Sequence, residues 1–152
     1  MNLIRLMLET PGSGLFEDPI GTFDPQHVQW IDNIVRCARD SGVRLMVTPW
    51  DTFWMNHRWH ISPYSSELGG PVHEKTDFIV KPEVLDAQKK RFAFIIDRWG
   101  NSGAIFAWEL LNEADVWWGA SAKQLGDWTA SMAEFVRDYE HRRWGLNHLI
   151  AL

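Results

Sequence analysis

At 152 residues the chain has room for about one domain, or a piece of a larger one. Hydrophobic residues make up 45% and charged residues 23%, which excludes wholesale disorder, and a single cysteine excludes an internal disulfide or a Cys-rich metal site. The net charge of −5 argues against a nucleic-acid partner, because phosphate contacts need a basic surface, and no apolar run reaches the roughly 20 residues of a membrane helix.

The first apolar run, Leu3–Leu8 (LIRLML), reads as a strand. A Gly/Pro-rich loop follows from Glu9 to Phe23, in which Glu17 and Asp18 read as solvated loop charges or as the lining of a subsite. Asp24-Pro25 is a helix start, with Asp24 as N-cap and Pro25 in the first helical position. Ile31, Ile34, Val35 and Ala38 share one face of that helix, which Gly42 closes. Cys37 lies in the same pattern and reads as a buried, inert thiol.

Val43–Thr48 (VRLMVT) is the second strand. The segment from Pro49 to Lys81 shows no clean period and reads as a long functional or mobile loop. Pro82 opens a second helix with Leu85, Phe92, Ile95, Ile96 and Trp99 on its apolar face, ended by Gly100. Ala104–Leu111 (AIFAWELL) is the third strand. Ser121 and Gln124 form a capping box, and the helix behind it carries Leu125, Trp128, Met132, Phe135, Val136 and Tyr139. Leu149–Leu152 begins a fourth strand.

This alternation predicts an α/β chain of four parallel strands and three helices joined by right-handed crossovers. A barrel of eight such units needs about 250 residues, so the expectation is a partial (β/α)8 TIM barrel spanning residues 1–152. A self-contained open sheet is the competing architecture, and strand order separates the two. Unpaired apolar edge strands offer a route to self-association.

The sharpest chemical feature is WELLNEAD, residues 108–115, which begins in a strand and runs off its C-terminal end. Function in parallel α/β folds gathers at that end. Alternation fails where the strand becomes loop, so Asn112 and Glu113 can reach one cleft. A carboxyl ringed by apolar loops is disfavoured in its ionised form, and the neutral acid can protonate a leaving oxygen. Glu109 reads equally as a second carboxyl lining the barrel or as a structural carboxylate paired with an arginine.

Aromatic content is the other anomaly, with 10 Trp in the chain. Trp50, Trp54 and Trp59 follow the second strand and Trp117-Trp118 follow Glu113. They read as sugar-stacking platforms or as loop packing, with at least one expected to stack. Trp30, Trp99, Trp128 and Trp144 lie on or near helices and read as packing residues. His57 and His60 have His-x-x-His spacing without further ligands, so hydrogen bonding to a sugar is preferred over a metal site.

WELLNEAD resembles the fourth-strand signature of clan A glycoside hydrolases, retaining (β/α)8 enzymes that include glycoside hydrolase family 5. The resemblance implies that Glu113 is the acid/base and that Asn112 binds the neighbouring sugar. It implies that Arg5, matching the arginine of the second barrel strand, supports the nucleophile. The four strands would then be the second to fifth of the barrel. Trp50, Trp54, His57 and Trp117 complete the expected carbohydrate-binding set, and no cofactor or metal is implied. Three departures stand beside it. Ala114 replaces a frequent proline, VRLMVTPWD lacks the histidine often found there, and the seventh strand that supplies the nucleophile is not reached. A non-catalytic carbohydrate-binding barrel fragment is the alternative reading.

Overall fold

A computed structural model of the chain describes residues 2–10, 14–117 and 119–152. Four strands are present: β1 (Leu3–Met7), β2 (Arg44–Thr48), β3 (Ile105–Glu109) and β4 (Leu149–Ala151). They form one sheet in the order β1-β2-β3-β4, with every pair parallel. Arg5 lies opposite Met46, Met46 opposite Ala107, and Trp108 opposite Ile150. Sequential order with β1 at the edge is the arrangement of a partial barrel. A doubly wound open sheet would have its first strand inside. Between Leu45–Ile105 and Met46–Ala107 the register skips Phe106, an extra residue of the kind that sharpens strand twist.

The long helices form where their ends were legible. Helix α1 (Pro25–Asp40) starts with the Asp24 carboxylate accepting from the His27 N–H at 2.6 Å. Its buried residues Val28, Ile31, Val35 and Ala38 follow helical spacing. It stops in a Schellman turn, with the Val43 N–H on the Ala38 carbonyl at 2.8 Å and Gly42 at φ 69°.

The segment expected to be an unstructured loop contains two short helices, α2 (Thr52–His57) and α3 (Asp77–Val80), and two single 3-10 turns. Elements of six residues or fewer are too short to show a hydrophobic period. Helix α4 (Pro82–Trp99) and helix α5 (Ala122–Trp144) follow as expected, α5 with a complete Ser121–Gln124 capping box.

The core lies between the sheet and the helix layer. Phe92, Ile95 and Ile96 on α4 and Met132 and Val136 on α5 are fully buried. Each such side chain contributes about 1.5–3 kcal/mol of transfer free energy. Buried indoles find acceptors: Trp128 donates to Gln88 Oε1 at 2.9 Å and Trp99 to Asp32 Oδ1 at 2.9 Å. Two residues depart from expectation. Cys37 is exposed, on the rim of an apolar groove beside β1, and Trp30 is 45% exposed rather than packed.

Among the described residues no helix is long and apolar enough to cross a membrane. No group of three or more His, Cys, Asp or Glu residues there could hold a metal ion.

Candidate functional site

The C-terminal ends of β1, β2 and β3 converge on one polar network. On β1, Arg5 donates from one guanidinium nitrogen to Glu109 Oε1 at 3.4 Å and from the other to Asn112 Oδ1 at 2.5 Å. From β2, the Thr48 hydroxyl donates to Glu109 Oε2 at 2.5 Å. Glu109 is therefore a structural carboxylate tied to an arginine, one of its two expected roles, while still lining the cleft. Asn112 Nδ2 donates to Asp51 Oδ1 at 2.5 Å. Glu109, Asn112 and Asp51 are all buried, and the Arg5 side chain is partly open to solvent.

Backbone pairing continues past the strand ends. The Asn112 N–H donates to the Trp50 carbonyl at 3.0 Å, and the Thr52 N–H donates to the Asn112 carbonyl at 3.2 Å. Asp51 and Asn112 thus form an isolated parallel bridge beyond β2 and β3.

The chain then kinks at Glu113, whose φ of 53° and ψ of 43° are left-handed. Glu113 is the one described non-glycine residue with positive φ. Such a conformation costs a side-chain-bearing residue of order 1–3 kcal/mol and gathers at functional sites. It ends the strand's alternation. As a result Asn112 and Glu113 line the same cleft of about 370 Å³, together with Arg5, Glu109, Asp115 and Leu152. Arg5, 107 residues from Asn112 in sequence, is brought together with Asn112 and Glu113.

The surroundings of Glu113 differ from expectation. Its side chain is exposed, its cleft neighbours mix the charged Arg5, Glu109 and Asp115 with the apolar Ala114, Leu125 and Leu152, and no described residue hydrogen-bonds its carboxylate. Of the tryptophans expected to ring it, Trp50 and Trp117 turn elsewhere. Trp50 is 3% exposed, edge-on to Phe78 and Phe92, with the Arg91 guanidinium 4.7 Å from its ring centroid. Trp117 is also buried, packed on Phe78, and its indole N–H donates to the Lys75 carbonyl at 2.9 Å. Both rings are taken up in packing rather than offered to a ligand. Trp118 lies outside the described residues.

Trp54 is half-buried and His57 exposed, and both pack around Phe53 on α2. Phe53, 49% exposed, is an open aromatic surface beyond β2 that no sequence signal singles out. The sequence does not single out the roles of Asp51 and Thr48 either. An Asp directly before Thr-Phe-Trp-Met is a legible N-cap, but its bond to Asn112 joins residues 61 apart.

A second buried cluster lies behind the site. Glu17 is 1% exposed, not solvated: Arg91 donates to it at 3.2 Å, the Tyr64 hydroxyl at 3.1 Å and the Gly21 N–H at 2.6 Å. Arg91 also reaches Glu9 at 3.0 Å and the Pro49 carbonyl at 2.5 Å, which fixes the exit of β2. Asp18 remains an exposed loop charge. Burial opposes the Arg91 charge, but the Glu9 and Glu17 carboxylates outweigh it and raise its pKa further. Burial, reinforced by the Glu17 carboxylate, pushes the Tyr64 phenol well up.

No family model matches the chain. It is 28% identical over 131 residues to mannan endo-1,4-beta-mannosidase A of Podospora anserina, covering 84% of this chain and 31% of that protein. The endo-beta-1,4-mannanase of Thermotoga petrophila superposes with a TM-score of 0.74 at 19% identity, over 100% of this chain and 36% of its own. Endo-glycoceramidase II from Rhodococcus sp. superposes with a TM-score of 0.65 at 16% identity, over 93% of this chain and 38% of its own. The chain spans about a third of the length of the curated relatives it matches.

Proposed function

From the clan A glycosidase fold of the family 5 kind that this chain carries as a partial (β/α) barrel, we propose that it is the acid/base half of a retaining glycoside hydrolase. The substrate is a β-linked oligo- or polysaccharide. The likeness to mannan endo-1,4-beta-mannosidases favours a β-1,4-mannan over a glucan or a small β-glycoside.

Glu113 donates its proton to the glycosidic oxygen as a second carboxylate, the nucleophile, bonds to the anomeric carbon and the bond to the leaving sugar breaks, which gives a glycosyl-enzyme. In the second step the Glu113 carboxylate takes a proton from water, whose oxygen bonds to the anomeric carbon and displaces the nucleophile carboxylate. Asn112 binds the sugar beside the scissile bond, and Arg5 orients the nucleophile.

Retaining chemistry needs a second carboxylate about 5–5.5 Å from the first. Glu109 is a poor candidate, because Arg5 and Thr48 occupy its two oxygens. The nucleophile is therefore assigned to a strand beyond these four, and the four-stranded piece alone is inactive. No organic cofactor or metal enters this chemistry.

The observation that carries the reading is the shared cleft of Asn112 and Glu113 at the C-terminal end of β3, with Glu113 in a left-handed conformation. In the intact barrel, Glu113→Gln lowers kcat/KM on an oligosaccharide by about 10²–10⁴. Aryl glycosides with good leaving groups lose least, because their departure needs no proton. A variant that hydrolyses oligosaccharides at the parent rate would overturn the assignment.

A further inference from the structure

The Asn112 side chain is held at both ends, and its two holders are not equivalent. Arg5 offers only donors and meets Oδ1 at 2.5 Å. The Asp51 carboxylate offers only acceptors and meets Nδ2 at 2.5 Å. A flipped amide would set its NH2 against the guanidinium and its oxygen against the carboxylate, two repulsive contacts in a buried site. One orientation survives, and among the described residues it leaves one Nδ2 proton without an acceptor, on a side chain that lines the cleft.

Asp51 also caps α2, but the two bonds differ. Phe53 N–H reaches the same Oδ1 at 3.4 Å, near the limit of a hydrogen bond, whereas Asn112 Nδ2 sits at 2.5 Å. The carboxylate is committed mainly to Asn112. Its own place is set by the backbone bridge between Asp51 and Asn112.

We propose that Asp51 is the positioning residue of this site: it locks the amide of Asn112 so that one N–H is presented to a sugar hydroxyl beside the scissile bond. The orientation of the amide follows from the contacts themselves. Its role in turnover rests on the glycosidase reading. Hydrogen bonds to the sugar hydroxyl next to the reacting carbon strengthen in the transition state, so losing the lock lowers kcat more than it raises KM.

Two variants separate positioning from capping. Asp51→Ser keeps a side-chain oxygen suited to a helix N-cap but is too short to reach Asn112, and Asp51→Asn keeps the acceptor oxygen. In the 152-residue chain, side-chain amide exchange of Asn112 followed by NMR accelerates by about tenfold in Asp51→Ser and recovers in Asp51→Asn. Backbone exchange along α2 stays unchanged. An Asn112 amide that exchanges as before, or a change confined to α2, overturns the proposal.

In the intact barrel, Asp51→Ser lowers kcat by about tenfold with KM little moved, and adds nothing in an Asn112→Ala background. Full additivity of the two substitutions overturns the positioning role. If the intact protein cleaves no β-glycoside, the glycosidase reading falls, and the exchange measurement still decides the orientation of the amide.

Discussion

Glu140 shows how one side chain can join three elements. It is 1% exposed, and its Oε1 accepts from the Trp108 indole at 2.9 Å and meets His148 Nδ1 at 2.7 Å, while Oε2 accepts from the His148 N–H at 2.8 Å. Burial alone would raise its pKa, yet the bonds from His148 and Trp108 outweigh burial and lower it. A carboxylate with a depressed folded pKa stabilises the fold above its unfolded value, about 4.3, and loses that contribution as pH falls through the lower folded value. Glu140→Gln is expected to cost about 1–3 kcal/mol at neutral pH and to flatten the loss of stability on acidification. Urea unfolding at several pH values checks both. Arg91 is the second such case: Arg91→Met strands the Glu9 and Glu17 carboxylates and costs about 3–5 kcal/mol by the same measurement. Neither cluster was legible in the sequence. Arg91 and Glu17 are 74 residues apart, and a loop carboxylate with no local partner looks solvated until the chain is folded.

At the scale of elements, legibility followed the local signals. Asp24-Pro25, Gly42, Pro82 and the Ser121–Gln124 box marked helix ends because capping is settled within four residues. Ser121→Ala should therefore destabilise the protein by about 1 kcal/mol, read as a lower urea midpoint with unchanged slope. Helices α2 and α3 left no period to read. The aromatic residues between β2 and α4 were ambiguous for a related reason. An aromatic residue in a segment without a period looks the same whether its ring packs inward, as that of Trp50 does, or stands open, as that of Phe53 does. WELLNEAD was legible because a strand pattern and a pair of polar residues at its end coincide. The left-handed turn at Glu113, which brings its side chain into the cleft with Asn112, was not, since it depends on β2 pairing beyond the strand.

At the scale of the whole molecule, four parallel strands leave both edges of the sheet unpaired by any described residue. Leu3 and Ile4 on β1 and Leu149 on β4 are 40%, 55% and 60% exposed, and an apolar groove of about 240 Å³ lies between β1 and α1. Apolar edges of this kind are templates for strand addition, so the 152-residue chain on its own is expected to self-associate, and Ile4→Lys to weaken that association. Light scattering checks this, and a monomer mass at every accessible concentration would contradict it. The partial barrel was legible from the βα alternation alone, whereas the second carboxylate that the proposed retaining reaction needs is assigned to a strand outside the four.

The central claim, that Glu113 transfers the proton in both steps, is tested most directly by chemical rescue. In the intact barrel, Glu113→Ala acting on an aryl β-glycoside with a good leaving group should form the glycosyl-enzyme and then stall, since no base activates water. Azide needs no deprotonation, so adding it should restore turnover and yield the β-glycosyl azide, with configuration retained. Parent-level hydrolysis of an unactivated oligosaccharide by the same variant, with no glycosyl azide formed, would contradict the account.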